Sequence, residues 1–266
     1  MKHATVQSLL PELRAWFAEY VRRFSSDDPS VQRNMDIKAD HTLRVCGEIR
    51  DIGGSLGLSD EDLCIAEACG LLHDIGRFEQ YNRYGTFRDS RSEDHAALGV
   101  KVIGETRVLA GVEPASVHVL VRVVAHHNRA VLDVEEGERC LFFLRLLRDA
   151  DKVDIWRVVT DYYRDGGNRR NPALELDLPD RDRISDRVCD SLMRGELVRV
   201  SDLETLNDFK LLQMGWIYDV NFPRTFRIVR ERGYLEAIRD ALPRSDRVMD
   251  LYARARDRLE RGSRAD

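Results

Sequence analysis

The chain lacks the features that would place it in a membrane, on a secretory route or along a nucleic acid. Its apolar runs fall far short of the ~18 residues that a membrane-spanning helix needs. The opening stretch MKHATVQSLLPELRAW has no long apolar core and carries Pro11, Glu12 and Arg14, so no signal peptide is expected and the cytoplasm is the expected address. Basic charge is not in excess either: 42 Lys and Arg stand against 47 Asp and Glu, a net charge of −5. Nucleic-acid polymers ask for a basic patch, so none is an expected partner, although a few local arginines suffice for a small anion. The five cysteines (Cys46, Cys64, Cys69, Cys140, Cys189) are odd in number and form no CxxC, which points to buried reduced thiols. The spacing of Cys64 and Cys69 is not that of a zinc ligand pair. There is no internal repeat and no low-complexity tract, and the only strand-like run is a short one at 197–200.

What remains is helical almost throughout, so an all-α fold is expected. Leu9, Leu10, Leu13, Trp16, Phe17, Tyr20 and Val21 recur at helical spacing in a first helix over 6–24. A turn-rich break at 25–34 precedes a second helix over 36–56, with His41 in its first half. Ser59, followed by Asp60, Glu61 and Asp62, reads as the N-cap of a third helix that ends at Leu71-Leu72-His73-Asp74. Residues 78–91 read as a long irregular loop. Ser92 reads as the N-cap of the next helix, which places His95 in its first turn and carries it to about 109. Pro114 opens another helix, striped by Val117, Leu120, Val121 and Val124 and closed by His126-His127. Residues 131–137 read as a loop, and a long helix follows over 140–163. The main break lies at Gly166-Gly167-Asn168 and Asn171-Pro172, and further helices are expected over 184–193, 202–218, 222–242 and 246–259. This gives an N-terminal helix packing on the core (1–35), a core domain (36–165) and a C-terminal helical extension (166–266).

The histidines are ordered along these helices. His41, His73-Asp74, His95, His126-His127 and Asp151 form a series that leaves only His3 and His118 outside it. Imidazole with carboxylate suits Zn, Fe, Ni, Co or Mn, whereas Mg and Ca favour all-oxygen sites. A charged Asp74 directly after the apolar turn Cys69-Gly70-Leu71-Leu72 is costly to bury without a partner. Adjacent helical residues point about 100° apart, so His126 and His127 cannot both approach one ion from one face. Asp151 and Asp154 lie one turn apart on one helix face. One or two divalent ions and an activated water are the chemistry such a set implies.

The same residues carry a resemblance. His41, His73-Asp74 and Asp151 match the H…HD…D signature of the HD superfamily of metal-dependent phosphohydrolases. Leu71-Leu72-His73-Asp74-Ile75-Gly76-Arg77 is similar to its central motif, and Arg148-Asp149-Ala150-Asp151-Lys152-Val153-Asp154 to its closing one. The resemblance covers about 36–160 and implies an all-α HD-domain bundle with additional C-terminal helices. It implies that His41, His73, Asp74 and Asp151 hold a first metal and that Asp74 bridges to a second. Ser92 to Gly99 and Ala125 to Asn128 look like the extra histidine segments of the binuclear branches, which implies His95 and His126 as ligands. The HD-GYP cyclic-di-nucleotide phosphodiesterases carry such segments. Here Asn128-Arg129-Ala130-Val131 stands where Gly-Tyr-Pro would follow, which removes the ground for cyclic-di-GMP specificity.

The expected activity is therefore hydrolysis of a phosphomonoester or phosphodiester, with a small phosphorylated and nucleotide-type substrate and a metal-bridging hydroxide. Asp74 and His127 are the candidate catalytic residues. Arg77, Arg88, Arg91 and Lys152 are the candidate substrate contacts, since guanidinium suits phosphate. Tyr81, Tyr84 and Phe87 either stack a base or pin their loop to the bundle. Two alternatives share the ligand pattern: an HD-type di-iron oxygenase, and a non-catalytic sensing or scaffold domain, which the intact ligand series argues against. Phe209, Leu212, Met214, Trp216 and Tyr218 make the C-terminal region apolar enough to cap the bundle, shape the pocket or form a homodimer interface.

Overall fold

A computed structural model describes residues 4–129, 137–164, 171 and 174–264. No strand occurs among them, so the chain is all-α there; an isolated parallel bridge pairs Ala4 with Val112. The strand-like run at 197–200 is irregular backbone up to Arg199, and Val200 opens a 3-10 turn. The loop expected at 131–137 and the break at 166–168 and 172 fall almost wholly outside the described residues. Among the described helices the chain divides into two compact units, Met1–Asp151 and Lys152–Asp266. No described helix is long and apolar enough to cross a membrane.

The first unit contains α1 (Val6–Arg22), α2 (Pro29–Ser55), α3 (Asp60–Leu72), α4 (Gly76–Tyr84), α5 (His95–Thr106), α6 (Pro114–His126) and the first half of α7 (Glu138–Arg164). Helix α2 starts seven residues earlier than expected. Asp28 accepts from the backbone N–H of Ser30 and Val31 and so caps a helix whose first residue, Pro29, lacks an N–H. Ser59 caps α3 as expected. The cap of α5 is Asp94, which accepts from Ala96, and not the expected Ser92, whose hydroxyl donates to the Arg88 carbonyl.

The larger correction is α4, which lies where an irregular loop was expected. Its composition is polar, but Phe78 and Gln80 are fully buried and tertiary packing overrides the weak local pattern. Gly85 ends it in the left-handed region at φ 63°. Phe78 meets the rings of Phe17, Tyr20 and Phe24, which seats α1 against α4. Each such ring pair is worth about 0.5–1.5 kcal/mol beyond burial. Gly76, the first residue of α4, packs so tightly on α5 that a Cβ there would stand 2.2 Å from the His95 carbonyl oxygen.

The core of this unit is made of Val45, Ile49 and Ile52 from α2, Ile65, Ala66 and Leu72 from α3, Leu120 and Val124 from α6, and Leu146 and Leu147 from α7, all fully buried. Each aliphatic side chain of this size contributes roughly 1.5–3 kcal/mol. Glu67 of α3 is buried among them and is neutralised by Arg14 of α1 and by Arg50 of α2 at 3.0 Å. All five cysteines are buried, and none of them forms a disulfide.

The second unit contains the end of α7, then α8 (Asp186–Arg194), α9 (Leu206–Gly215), α10 (Pro223–Arg232), α11 (Tyr234–Asp240) and α12 (Asp246–Ser263). The single helix expected over 222–242 is two, because Gly233 at φ 65° caps α10 and turns the chain into α11. Trp156 anchors the unit: it is fully buried, its indole N–H donates to the Gln213 carbonyl at 2.8 Å, and its ring stacks on Tyr234.

Candidate metal centre

Five helices and the turn after α3 bring the histidine series together. His41 projects from the middle of α2. His73 caps α3 at its C-terminal end, and Asp74 follows in the turn that Gly76 closes onto α5. His95 opens α5, His127 caps α6, and Asp151 lies midway along α7. His41, His73, Asp74, His95 and His127 are all buried.

The donors sort into two groups, each with its atoms within 4.8 Å of one another: His41, His73 and Asp151, and Asp74, His95 and His127. Asp74 faces both. Its Oδ2 lies 3.7 Å from His41 Nε2 and 3.6 Å from His73 Nε2, while its Oδ1 lies 3.4 Å from His95 Nε2 and 3.7 Å from His127 Nε2. His41 Nε2 stands 3.1 Å from Asp151 Oδ1. One carboxylate thus offers one oxygen to each histidine pair.

The tautomers follow from the partners. His73 Nδ1 lies 2.7 Å from the Gly70 carbonyl and His127 Nδ1 lies 2.8 Å from the Val124 carbonyl. A carbonyl only accepts, so both Nδ1 atoms carry the proton, and in the neutral ring, the form that ligates, both Nε2 atoms present lone pairs. His95 Nδ1 donates to Asp89 at 2.7 Å, which leaves its Nε2 a lone pair as well. That lone pair faces the one on His127 Nε2 at 3.0 Å. Two acceptors so close repel each other unless a cation lies between them. His73 Nε2 is buried and makes no hydrogen bond. Inward-facing donors with no partner of their own suit a bound cation.

Electrostatics agree. Burial, offset in part by the nearby Asp74 carboxylate, pushes His73 down to about 4; burial and then Arg77 push His95 down to about 4. Both imidazoles are neutral, as ligation requires. Burial would raise Asp74 and Asp151, but for Asp74 the cations Lys38 and Arg77 with His73 and His127 outweigh it, and for Asp151 the neighbours His41 and His73 do. Both carboxylates are held below their usual range.

The structure changes the expected roles of several residues. His127, and not His126, joins the converging donors; His126 is buried at the neighbouring position and belongs to neither group. In α6 His127 follows Leu120 and Val124 and His126 follows Val119 and Val123 at the same helical spacing, all of them buried, so that spacing does not separate the two histidines. Arg77 is largely committed within the protein. Its Nη1 donates to Gln80 at 2.8 Å, to Asp89 at 2.9 Å and to the Phe87 carbonyl, and its Nε is 3.5 Å from Asp74. Arg88 is half-buried and Arg91 exposed, in the loop before α5. Lys152 is buried and its ammonium pairs with Asp219 at 2.7 Å in the second unit. Tyr81 receives a hydrogen bond from Asn34 and packs on Phe87 at 4.6 Å, so these rings pin their segment to the bundle. Tyr84 is exposed.

Two residues absent from the sequence reading belong to the centre. Lys38 lies one turn before His41 on the same face of α2; its ammonium is 2.8 Å from Asp74 Oδ2 and sits over the Phe87 ring. Asp89 receives His95. Arg148, from the closing motif, donates to the carbonyls of His127 (3.1 Å) and Arg129, and so satisfies the end of α6 that carries His127.

Residues 39–156 match the family model described as HD domain. No curated protein and no solved structure matches the chain.

Proposed function

We propose, from the premise that residues 39–156 of this chain form an HD domain, that the protein is a metal-dependent phosphohydrolase acting on a small phosphomonoester or phosphodiester of nucleotide type. HD domains bind divalent metals and belong to a superfamily of mostly metal-dependent hydrolases. The observation that carries the proposal is Asp74, set with one oxygen toward His41 and His73 and the other toward His95 and His127. Such a carboxylate suits a pair of ions, and a site for two ions suits in-line displacement at phosphorus. His41, His73, Asp74 and Asp151 would hold one ion, and Asp74, His95 and His127 the other. A bound pair supplies Lewis acidity toward a phosphoryl oxygen and a water acidic enough to attack near neutral pH.

The chain's own residues do the rest. His73 and His95, their titration lowered by burial, stay neutral and keep their lone pairs inward. Asp89 and the Gly70 and Val124 carbonyls hold three of the rings in orientation. Lys38, partly open to solvent, sets a positive charge at the rim where a non-bridging phosphate oxygen would arrive.

The test is elemental analysis of protein purified without chelator, then reconstitution with Mn or Co and a panel of phosphomonoesters and phosphodiesters. Phosphate or nucleoside release that disappears in His73→Ala and Asp74→Ala supports the reading. Metal-replete protein that releases no phosphate but consumes oxygen with bound iron refutes it in favour of the oxygenase.

A further inference from the structure

His95 differs from the other oriented histidines of the centre. The Nδ1–H groups of His73 and His127 donate to carbonyls three residues back in their own chain segment. Those rings are aligned by the helices that carry them. His95 opens its helix and has no such carbonyl behind it. Its Nδ1 instead meets both oxygens of Asp89, at 2.7 and 2.9 Å, and Asp89 belongs to the short 3-10 turn Asp89–Arg91 before α5.

Asp89 is itself held. Oδ1 accepts from Arg77 Nη1 at 2.9 Å and from Gln80 Nε2 at 2.8 Å; Oδ2 accepts from Asn128 at 3.4 Å. Gln80 is fully buried, and its amide also donates to Ser92 Oγ at 2.9 Å and to the Glu93 carbonyl at 2.8 Å, so α4 ties down the segment that carries Asp89. We propose that Asp89 is a positioning residue for His95 and sets the affinity of the Asp74–His95–His127 half of the centre, while leaving the His41–His73–Asp151 half unaffected. A carboxylate on the far nitrogen fixes the tautomer and makes the near nitrogen a stronger donor; losing such a partner typically costs 10–100-fold in metal affinity. The inference deepens the two-ion reading and rests on it.

Asp89, Asp94 and His95 also approach closely enough to hold an ion by themselves. The guanidinium of Arg77 on Asp89 Oδ1 disfavours that use. The test separates the two roles. Metal-free full-length protein is titrated with cobalt(II), followed by calorimetry and by the visible d–d bands, for wild type, His95→Ala, Asp89→Asn and Asp89→Glu. The wild type is expected to show two binding events, one of which His95→Ala abolishes. Asp89→Asn should weaken that event about 10–100-fold and alter its band, with the other event unchanged. Asp89→Glu, which keeps the carboxylate, should recover part of the loss. Equal affinities in Asp89→Asn and wild type overturn the proposal. So does an equal loss of both events, or the loss of a third cobalt equivalent. A wild type that binds a single cobalt ends the two-ion reading instead, and Asp89 is then judged on whether its Asn variant weakens an event that His95→Ala removes.

Discussion

Gly76→Ala is the substitution for which the structure gives the most definite expectation. Its methyl group would stand 2.2 Å from the His95 carbonyl oxygen, 2.6 Å from the Gly99 nitrogen and 3.0 Å from Leu98 Cβ. Carbon–oxygen contacts normally begin near 3.3 Å, so α4 and α5 must part by about 1 Å, and two of the three obstacles are backbone. Overpacking of this kind costs about 1–3 kcal/mol, and at this chain length each kcal/mol lowers Tm by roughly 2–4 °C. The displaced element is the one that begins with His95, so the damage reaches the centre. A shift of about 1 Å in a reacting constellation is worth around 10²-fold in turnover. The control is Gly47→Ala in α2, where nothing lies within 4 Å of the added Cβ; it should stabilise by about 0.5–1 kcal/mol. Urea unfolding in chelator, paired with cobalt titration, measures both consequences. If Gly76→Ala unfolds at the wild-type midpoint and binds cobalt equally well, the close approach of α4 to α5 is not what places His95.

Three other outcomes are expected. Stability of the metal-free protein should depend on acid in a defined window: His73 and His95 are held near 4 against 6.5 when unfolded, so the unfolded state binds more protons in between, and stability present above pH 6.5 should drain away as pH falls toward 4. Urea midpoints at pH 7.5 and 5 check this, and equal midpoints refute it. Replacing both Arg14 and Arg50 by Ala leaves Glu67 buried without a counter-charge and should cost about 3 kcal/mol, whereas either single change, with the other arginine still in place, should cost about 1; thermal melts decide, and additive small losses would show that Glu67 is not desolvated. Lys38→Met should slow release of phosphate from an anionic substrate by roughly 10-fold or more without lowering metal content, and unchanged turnover would remove Lys38 from the site.

The sequence exposed those parts of the centre whose signal is local. His73-Asp74 announces itself because a charged residue follows a turn made of Leu71 and Leu72; His41 and Asp151 carry no such local signal, and it is the resemblance of the ordered series to HD proteins that singles them out. The choice between His126 and His127 depended on the rotation of α6, which burial alone does not fix: His126 continues the buried line Val119-Val123 and His127 the buried line Leu120-Val124. Lys38 and Asp89 stayed hidden for a different reason. Lys38 meets a partner 36 positions away, and no pattern of residue types encodes a long-range ion pair. Helix α4 escaped because its exposed face is rich in Asn, Arg and Tyr, and its helicity comes from Phe78 and Gln80 packing into the bundle.

The buried thiols have a practical consequence. Burial, reinforced by Glu67, pushes Cys46 up to about 12, and Cys69 is fully enclosed. Alkylation of Cys46 or Cys69 in the native protein, followed at those two residues by peptide mapping, must therefore wait for α2 and α3 to separate. The pace of labelling becomes a built-in gauge of how often those helices open, with no dye and no engineered probe. An ion that clamps the bundle would register on the same gauge as slower modification.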